Sequence, residues 1–457
     1  MRRFDGLRRA GLKLLHPSGG LFALLQTVLV QGATVLVNLA TGIITARLLG
    51  PVGRGEFAAV GLWLILPPML ATAGFQSAVV YFARHDPEAT RFSGIAGLLA
   101  ASLAFVPICA VFYWFAPQLM HGYSASIITL ARIIMVLSVV NVWSVIGRQG
   151  LLAVKNFRAF NATGYGAAFV YLLLLLALMG LGAVTPHSAA YAQFAGTSVV
   201  LIPTFWWLLG EWRERRQHAT STTRAFVRYG LRAAPIDVVT VLSGTIDRVV
   251  LVGLVSASDF GIYAVALSFA RILYVVQTAV SSVMLTDLAA RPSEDVQPLV
   301  HQTFRLLLWG LVGVCALCFM VDRQLLGLVY GPDFVAATSV FRVLLVEGAI
   351  TCLAQLLIQA YLSAAKPGIP AFWQVVTFGL AALGMLALTP YFGVMGAAAS
   401  LAFASSVRLI VLLAGLPRIG LALPNPWPRI RDLTAAVQFL SRLRSTPAAR
   451  KEQALAD

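Results

Sequence analysis

Charge is scarce in this chain of 457 residues. Asp, Glu, Lys and Arg make up 11% of it, hydrophobic residues 59%, and mean hydropathy is +0.83. Water-soluble domains carry about 25% charged residues, so a soluble fold is excluded. The scarcity is concentrated: residues 57–83, 92–131, 159–210 and 367–407 hold no Asp, Glu, Lys or Arg. Each run exceeds the roughly 20 residues that one bilayer crossing needs. Lysine is scarcer still, confined to Lys13, Lys155, Lys366 and Lys451. None of them ends a G-x-x-x-x-G-K-[ST] loop, which excludes a P-loop ATP-driven pump. Cys109, Cys315, Cys318 and Cys352 all fall in apolar stretches. Hydrocarbon disfavours thiolates, so no disulfide, metal site or cofactor is expected from them.

What remains is an all-α polytopic membrane protein of about twelve transmembrane helices. The expected spans are 21–46, 57–83, 93–116, 127–148, 162–182, 188–210, 230–253, 260–287, 300–321, 338–362, 369–389 and 393–416. Arginines crowd the N-terminal stretch, the 211–228 connection and the tail, whereas the loops near 117–126, 183–187 and 390–392 have none. The positive-inside rule then puts both termini in the cytoplasm. The formal charge of +16 reflects topology and anionic lipid, and no nucleic-acid partner is expected. Ile430, Leu433, Val437, Leu440 and Leu443 against Arg429, Arg431, Arg442 and Arg444 predict an interfacial amphipathic helix in the tail.

The pattern is stated twice. Thr27, Gln31, Thr34, Asn38, Thr41 and Thr45 share one helix face, and 206 residues on stand Asp237, Thr240, Gly244 and Asp247. Gly55-Glu56-Phe57-Ala58 returns as Gly261-Ile262-Tyr263-Ala264 at the same offset, and Arg132 and Gln149 return as Arg342 and Gln359 at 210. The common register predicts two six-helix lobes, 1–210 and 229–416, related by a pseudo-two-fold axis around a central cavity. Residues 211–228 are expected to link them, and 417–457 to form the tail.

The segment Ala46-Arg47-Leu48-Leu49-Gly50-Pro51, followed by Gly53-Arg54-Gly55-Glu56-Phe57-Ala58, resembles the opening of bacterial polysaccharide-export flippases. These are the O-antigen and exopolysaccharide members of the multidrug/oligosaccharidyl-lipid/polysaccharide exporter superfamily. The resemblance implies a non-enzymatic flippase of the inner membrane. It would move undecaprenyl-diphosphate-linked oligosaccharide from the cytoplasmic to the periplasmic leaflet by alternating access, serving O-antigen, capsule or exopolysaccharide assembly alongside the polymerase machinery.

Ionisable residues inside a membrane are costly and face cavities or one another. Arg271 falls at the middle of its span, with Tyr274, Thr278 and Ser281 on the same face. Arg248, Arg132, Arg342 and Arg47 are shallower, where snorkelling to an interface competes with substrate binding. Guanidinium forks suit a diphosphate, so these arginines, with Gln31, Asn38 and Tyr274, are the candidate substrate residues. Arg54 and Arg323 are assigned to external loops. Asp247, Asp237 and Glu347 are candidates for coupling to protons or sodium, against a static role in ion pairs with arginines of other helices. Asp247 and Arg248, as sequence neighbours, are not expected to pair. Two other functions compete. A cation-coupled drug antiporter on the same fold would want an acidic, aromatic cavity. A membrane glycosyltransferase would want catalytic carboxylates in a large external loop, where only Asp322 and Asp333 are on offer.

Overall fold

The computed structural model describes residues 20–86, 90–214, 223–278, 281, 284 and 293–427. The amphipathic helix expected at 429–444 and the side chains of Thr27 and Gln31 lie outside the described residues. Among the described residues there is no strand. That follows from the solvent: without water to bind free N–H and C=O groups, a backbone in lipid must satisfy them within its own helix.

Among the described residues the helices group into twelve. Gly20–Thr72 is continuous in hydrogen bonding but turns at Gly50 (φ 65°, ψ −177°), so it comprises α1 (20–49) and the first part of α2 (51–85). α2 is interrupted at Ala73-Gly74 and resumes as Phe75–His85. There follow α3 (Thr90–Leu119), α4 (125–153, broken at Ser138), α5 (Phe157–Gly180) and α6 (186–214, broken at Val200). The second half holds α7 (223–254, broken at Gly244-Thr245), α8 (Ala257–Ala270 and a further stretch to 278), α9 (Ser293–Tyr330) and α10 (Thr338–Ser363). Gly368–Gly415 turns at Gly393 (φ 56°, ψ −141°) and divides into α11 (368–392) and α12 (394–415). These two backbone conformations are accessible essentially only to glycine, and each joins two crossings without a loop.

Eight apolar stretches are long enough to cross a bilayer, two of them being the kinked pairs. α7 and α8 complete the twelve. α7 is less apolar because it carries Arg224, Arg228, Arg232, Asp237, Asp247 and Arg248, and α8 is short because its regular turns stop at Ala270. Helix α7 begins at 223, inside the stretch read as a linker. Leu103 and Trp114 of α3 are 76% and 72% exposed, as befits side chains turned to lipid.

Lipid tails are as apolar as leucine, so the lobes cannot be held by hydrophobic burial alone; close packing must do it. α2 crosses α8 where Gly55 meets Ala257 and Gly261 meets Pro51. A Cβ on either glycine would collide with the facing carbonyl oxygen. These are the two glycines repeated at an offset of 206. Nearer the face where α1 starts, α2 packs on α7: Tyr81 stacks on Tyr229 with centroids 4.4 Å apart, and Phe75 and Phe82 flank the buried Phe226. On the opposite, far face, Arg47 of α1 donates to the carbonyls of Val329 (2.8 Å) and Leu328 at the end of α9.

Gly55→Ala and Gly261→Ala should each force the helices apart, at an overpacking cost of about 1–3 kcal/mol. Gly310→Ala, where a Cβ meets nothing within 4 Å, is the control. Monodisperse protein surviving a heat step in detergent should fall for the first two and hold for the control; equal survival of all three would refute the tight crossing.

Candidate functional site

A cavity of about 1030 Å³ opens within the second lobe, between α7, α8, α10, α11 and α12. One wall is apolar: Ile236, Phe372 and Val375 are 65%, 61% and 51% exposed. The other gathers Asp247, Arg271, Tyr274, Glu347, Thr351 and Arg408. Such an amphipathic hollow suits a ligand with a polar head and an apolar remainder.

Arg271 owes its position to a helix end. Residue 270 closes the regular turns of α8, Arg271 is the C-cap, and its N–H still bonds the Leu267 carbonyl at 3.0 Å. The side chain is open to the cavity and makes no hydrogen bond or ion pair with any described residue, although it feels the charges of Asp247 and Arg248. Asp247 is 5% exposed and accepts from the Tyr263 hydroxyl at 2.8 Å. Arg248 approaches it at 3.9 Å and donates backwards to the Gly244 carbonyl. Sequence neighbours therefore do form a loose pair here, because the break at Gly244-Thr245 lets Arg248 fold back.

A second arginine was missed from the sequence. Arg408 stands just past the charge-free run 367–407, inside the expected span 393–416. In the structure it lines the cavity, donating to Gln374 Oε1 (2.8 Å) and Thr351 Oγ1 (3.1 Å), while its Nε has no partner. Thr351 in turn donates to Glu347 (2.8 Å), which also accepts from Ser405 (2.7 Å). Glu347 and Arg408 are thus joined through a hydroxyl, not directly. The available signal was the spacing of Ser405 and Arg408, one turn apart on the face opposite Glu347 and Thr351.

The remaining candidates lie elsewhere. Asp237 accepts from the N–H of Gly74 at 2.8 Å, clasping the break in α2 from the other lobe. None of the three acids meets an arginine of another helix directly among the described residues, contrary to expectation. Asn38 is exposed on α1; Thr41 and Thr45 spend their hydroxyls on backbone carbonyls of their own helix. Arg132 sits over the Tyr113 ring (4.7 Å) and donates to the Tyr113 carbonyl (3.2 Å). Arg342 does the same with Phe319 (5.6 Å, 3.4 Å), 206 residues from Tyr113, and adds an ion pair to Asp322 at 2.6 Å. Both arginines therefore fasten neighbouring helices, and neither lines the cavity. Asp322 and Arg323 belong to α9, not to an external loop. Arg54 is likewise helical and only 8% exposed.

The fold has known counterparts. The lipid II flippase MurJ in an inward-closed conformation superposes with a TM-score of 0.71 over 86% of this chain and 87% of its own, at 11% identity. An inward-facing multidrug-resistance MATE transporter gives 0.68 over 85% and 94%, at 16% identity. A MOP-superfamily transporter from Pyrococcus furiosus, described as having a binding pocket of reversed polarity, gives 0.61 over 87% and 96% at 16% identity. This chain shares the fold of those structures, two helical lobes. No curated protein matches the sequence. Residues 24–286, more than half of the chain, match the family of polysaccharide biosynthesis proteins, and the chain belongs to that family.

Arg342→Ala strands the carboxylate of Asp322, whose side chain is 2% exposed, whereas Arg132→Ala strands none. The Arg342 variant should lose more thermal stability in detergent, and Asp322→Asn placed on top of it should recover part of the loss. Equal losses from the two arginines would contradict the assignment.

Proposed function

We propose that this protein is a flippase for undecaprenyl-diphosphate-linked oligosaccharide, carrying it from the cytoplasmic to the periplasmic leaflet of the inner membrane. Membership of a polysaccharide biosynthesis family supports the pathway class, and the shared fold of transporters supports the alternating-access cycle. The observation that carries the substrate reading is the imbalance of unmet bonding in the cavity. Asp247 and Glu347 already accept hydroxyl hydrogens, whereas Arg271 has no acceptor among the described residues and Arg408 keeps an unbonded Nε–H. Two cations and two anions cancel formally, so it is donor capacity, not net charge, that favours an anionic head group. Arg271 would grip the diphosphate from the end of α8, its fork matching two phosphate oxygens. The exposed Ile236, Phe372 and Val375 would border the lipid portion. Asp247 remains the candidate for ion coupling, and Asp237, as a clasp between lobes, is a candidate for sensing their separation. Assembly with a polymerase would follow on the periplasmic side.

The test is translocation. In liposomes holding lipid-linked oligosaccharide, the protein should make the far-leaflet fraction accessible to an added glycosidase. A charge-assisted contact contributes about 1.5–3 kcal/mol, so Arg271→Ala should slow translocation at least roughly tenfold at equal insertion. Arg271→Lys should keep part of the rate. Wild-type rates in both variants would defeat the assignment. Asp247, Glu347 and the aromatic Tyr274 and Phe372 give the cation antiporter its remaining support; gradient-driven dye export without oligosaccharide translocation would establish that function instead. Asp247→Asn should blunt the response to collapsing proton and sodium gradients, and an unchanged response would remove Asp247 from coupling.

A further inference from the structure

Away from the cavity, on the far-face half of the seam, Arg54 occupies the first turn of α2. It is 8% exposed, with its guanidinium carbon 5.3 Å from the centroid of Phe57. A ring face does not satisfy N–H groups. The Nε is buried and has no hydrogen-bond partner. Two buried tyrosines lie within electrostatic reach, Tyr171 of α5 and Tyr330 of α9. They are 7% and 1% exposed, and both hydroxyls are without a hydrogen-bond partner.

The Arg54 guanidinium and the two phenol hydroxyls within its electrostatic reach thus come from both lobes, and no described residue bonds to the Nε or to either hydroxyl. Arginine stays protonated in proteins, so this charge cannot be relieved by deprotonation. A buried charge needs a counter-charge. Glu56, the nearest carboxylate in sequence, makes no ion pair with Arg54 among the described residues and lies within electrostatic reach of His187. The carbonyls of Leu328 and Val329 beside Tyr330 are taken by Arg47. A Cβ on Gly42 of α1 would lie 3.9 Å from the Arg54 NH2 group.

We infer that Arg54, Tyr171 and Tyr330 form a binding site for a small monovalent anion of the halide class, shared between the two lobes. One guanidinium balances one negative charge, and the two phenol O–H groups complete a donor shell around it. A dianion would leave an excess charge in the same buried place. Tyr330 belongs to the second lobe and Arg54 and Tyr171 to the first, so separating the lobes at this face dismantles the site. The anion therefore favours the state closed there, and its concentration biases the transport cycle.

Thermal unfolding of the purified protein in sodium chloride, sodium bromide and sodium gluconate at matched ionic strength tests this. Chloride and bromide should raise Tm over gluconate saturably, by roughly 2 °C or more. Arg54→Gln should abolish the halide response and match or exceed the wild type in gluconate, since it removes an uncompensated charge. Tyr330→Phe should weaken the response while leaving the guanidinium in place. Equal Tm values in the three salts, or a halide response that persists in Arg54→Gln, would overturn the inference.

Discussion

Everything else in this molecule hangs on two helices whose backbones touch. Where α2 crosses α8, Gly55 faces the carbonyl of Ala257 and Gly261 faces that of Pro51, with no room for a methyl group on either side. In lipid there is no surplus of hydrophobic burial to hold two lobes together, so closeness of approach is the available currency. The aromatic contacts of α2 on α7 lie towards one face, and the hold of Arg47 on the end of α9 lies at the other. One helix of the first lobe thereby bears on two of the second.

Intramembrane charge is put to three different uses. Arg132, Arg342 and Arg47 fasten helices, each by donating to backbone carbonyls of another helix, with aromatic faces under the first two. Asp237 fastens a helix break across the lobes. The cavity draws on a different set, Asp247, Arg271, Glu347 and Arg408, and there the acids are occupied while the bases retain unused N–H groups. The distinction lies in whether bonding capacity is spent, since a cation with all its donors engaged has little left for a ligand.

The repeat at an offset of 206 carried real structural information. It linked Gly55 with Gly261, which became the lobe crossing, and its relative at 210 linked Arg132 with Arg342, which share one docking geometry. Periodicity and charge scarcity placed the helices because the bilayer imposes both on sequence. Depth was harder to judge. Arg54 looked external because it follows a Gly-Pro turn, but Gly50 turns so sharply that the next helix starts at once and carries Arg54 inward. The break of α8 at Arg271 has no proline or glycine to announce it. Which arginine faces a cavity depends on how whole helices rotate and pack, and a linear pattern records only which side chains share a face.

The two glycine turns have a bearing on how the protein is made. Gly50 and Gly393 convert α1–α2 and α11–α12 into hairpins with almost no connecting chain, so the polar backbone that must pass the hydrocarbon layer is a single corner instead of a loop. Such a hairpin can enter the bilayer as one unit, its two arms shielding each other as they leave the insertion machinery. The crossing residues Pro51 and Gly55 sit immediately beyond the first corner. The surface that later receives the second lobe is therefore in place before that lobe is synthesised.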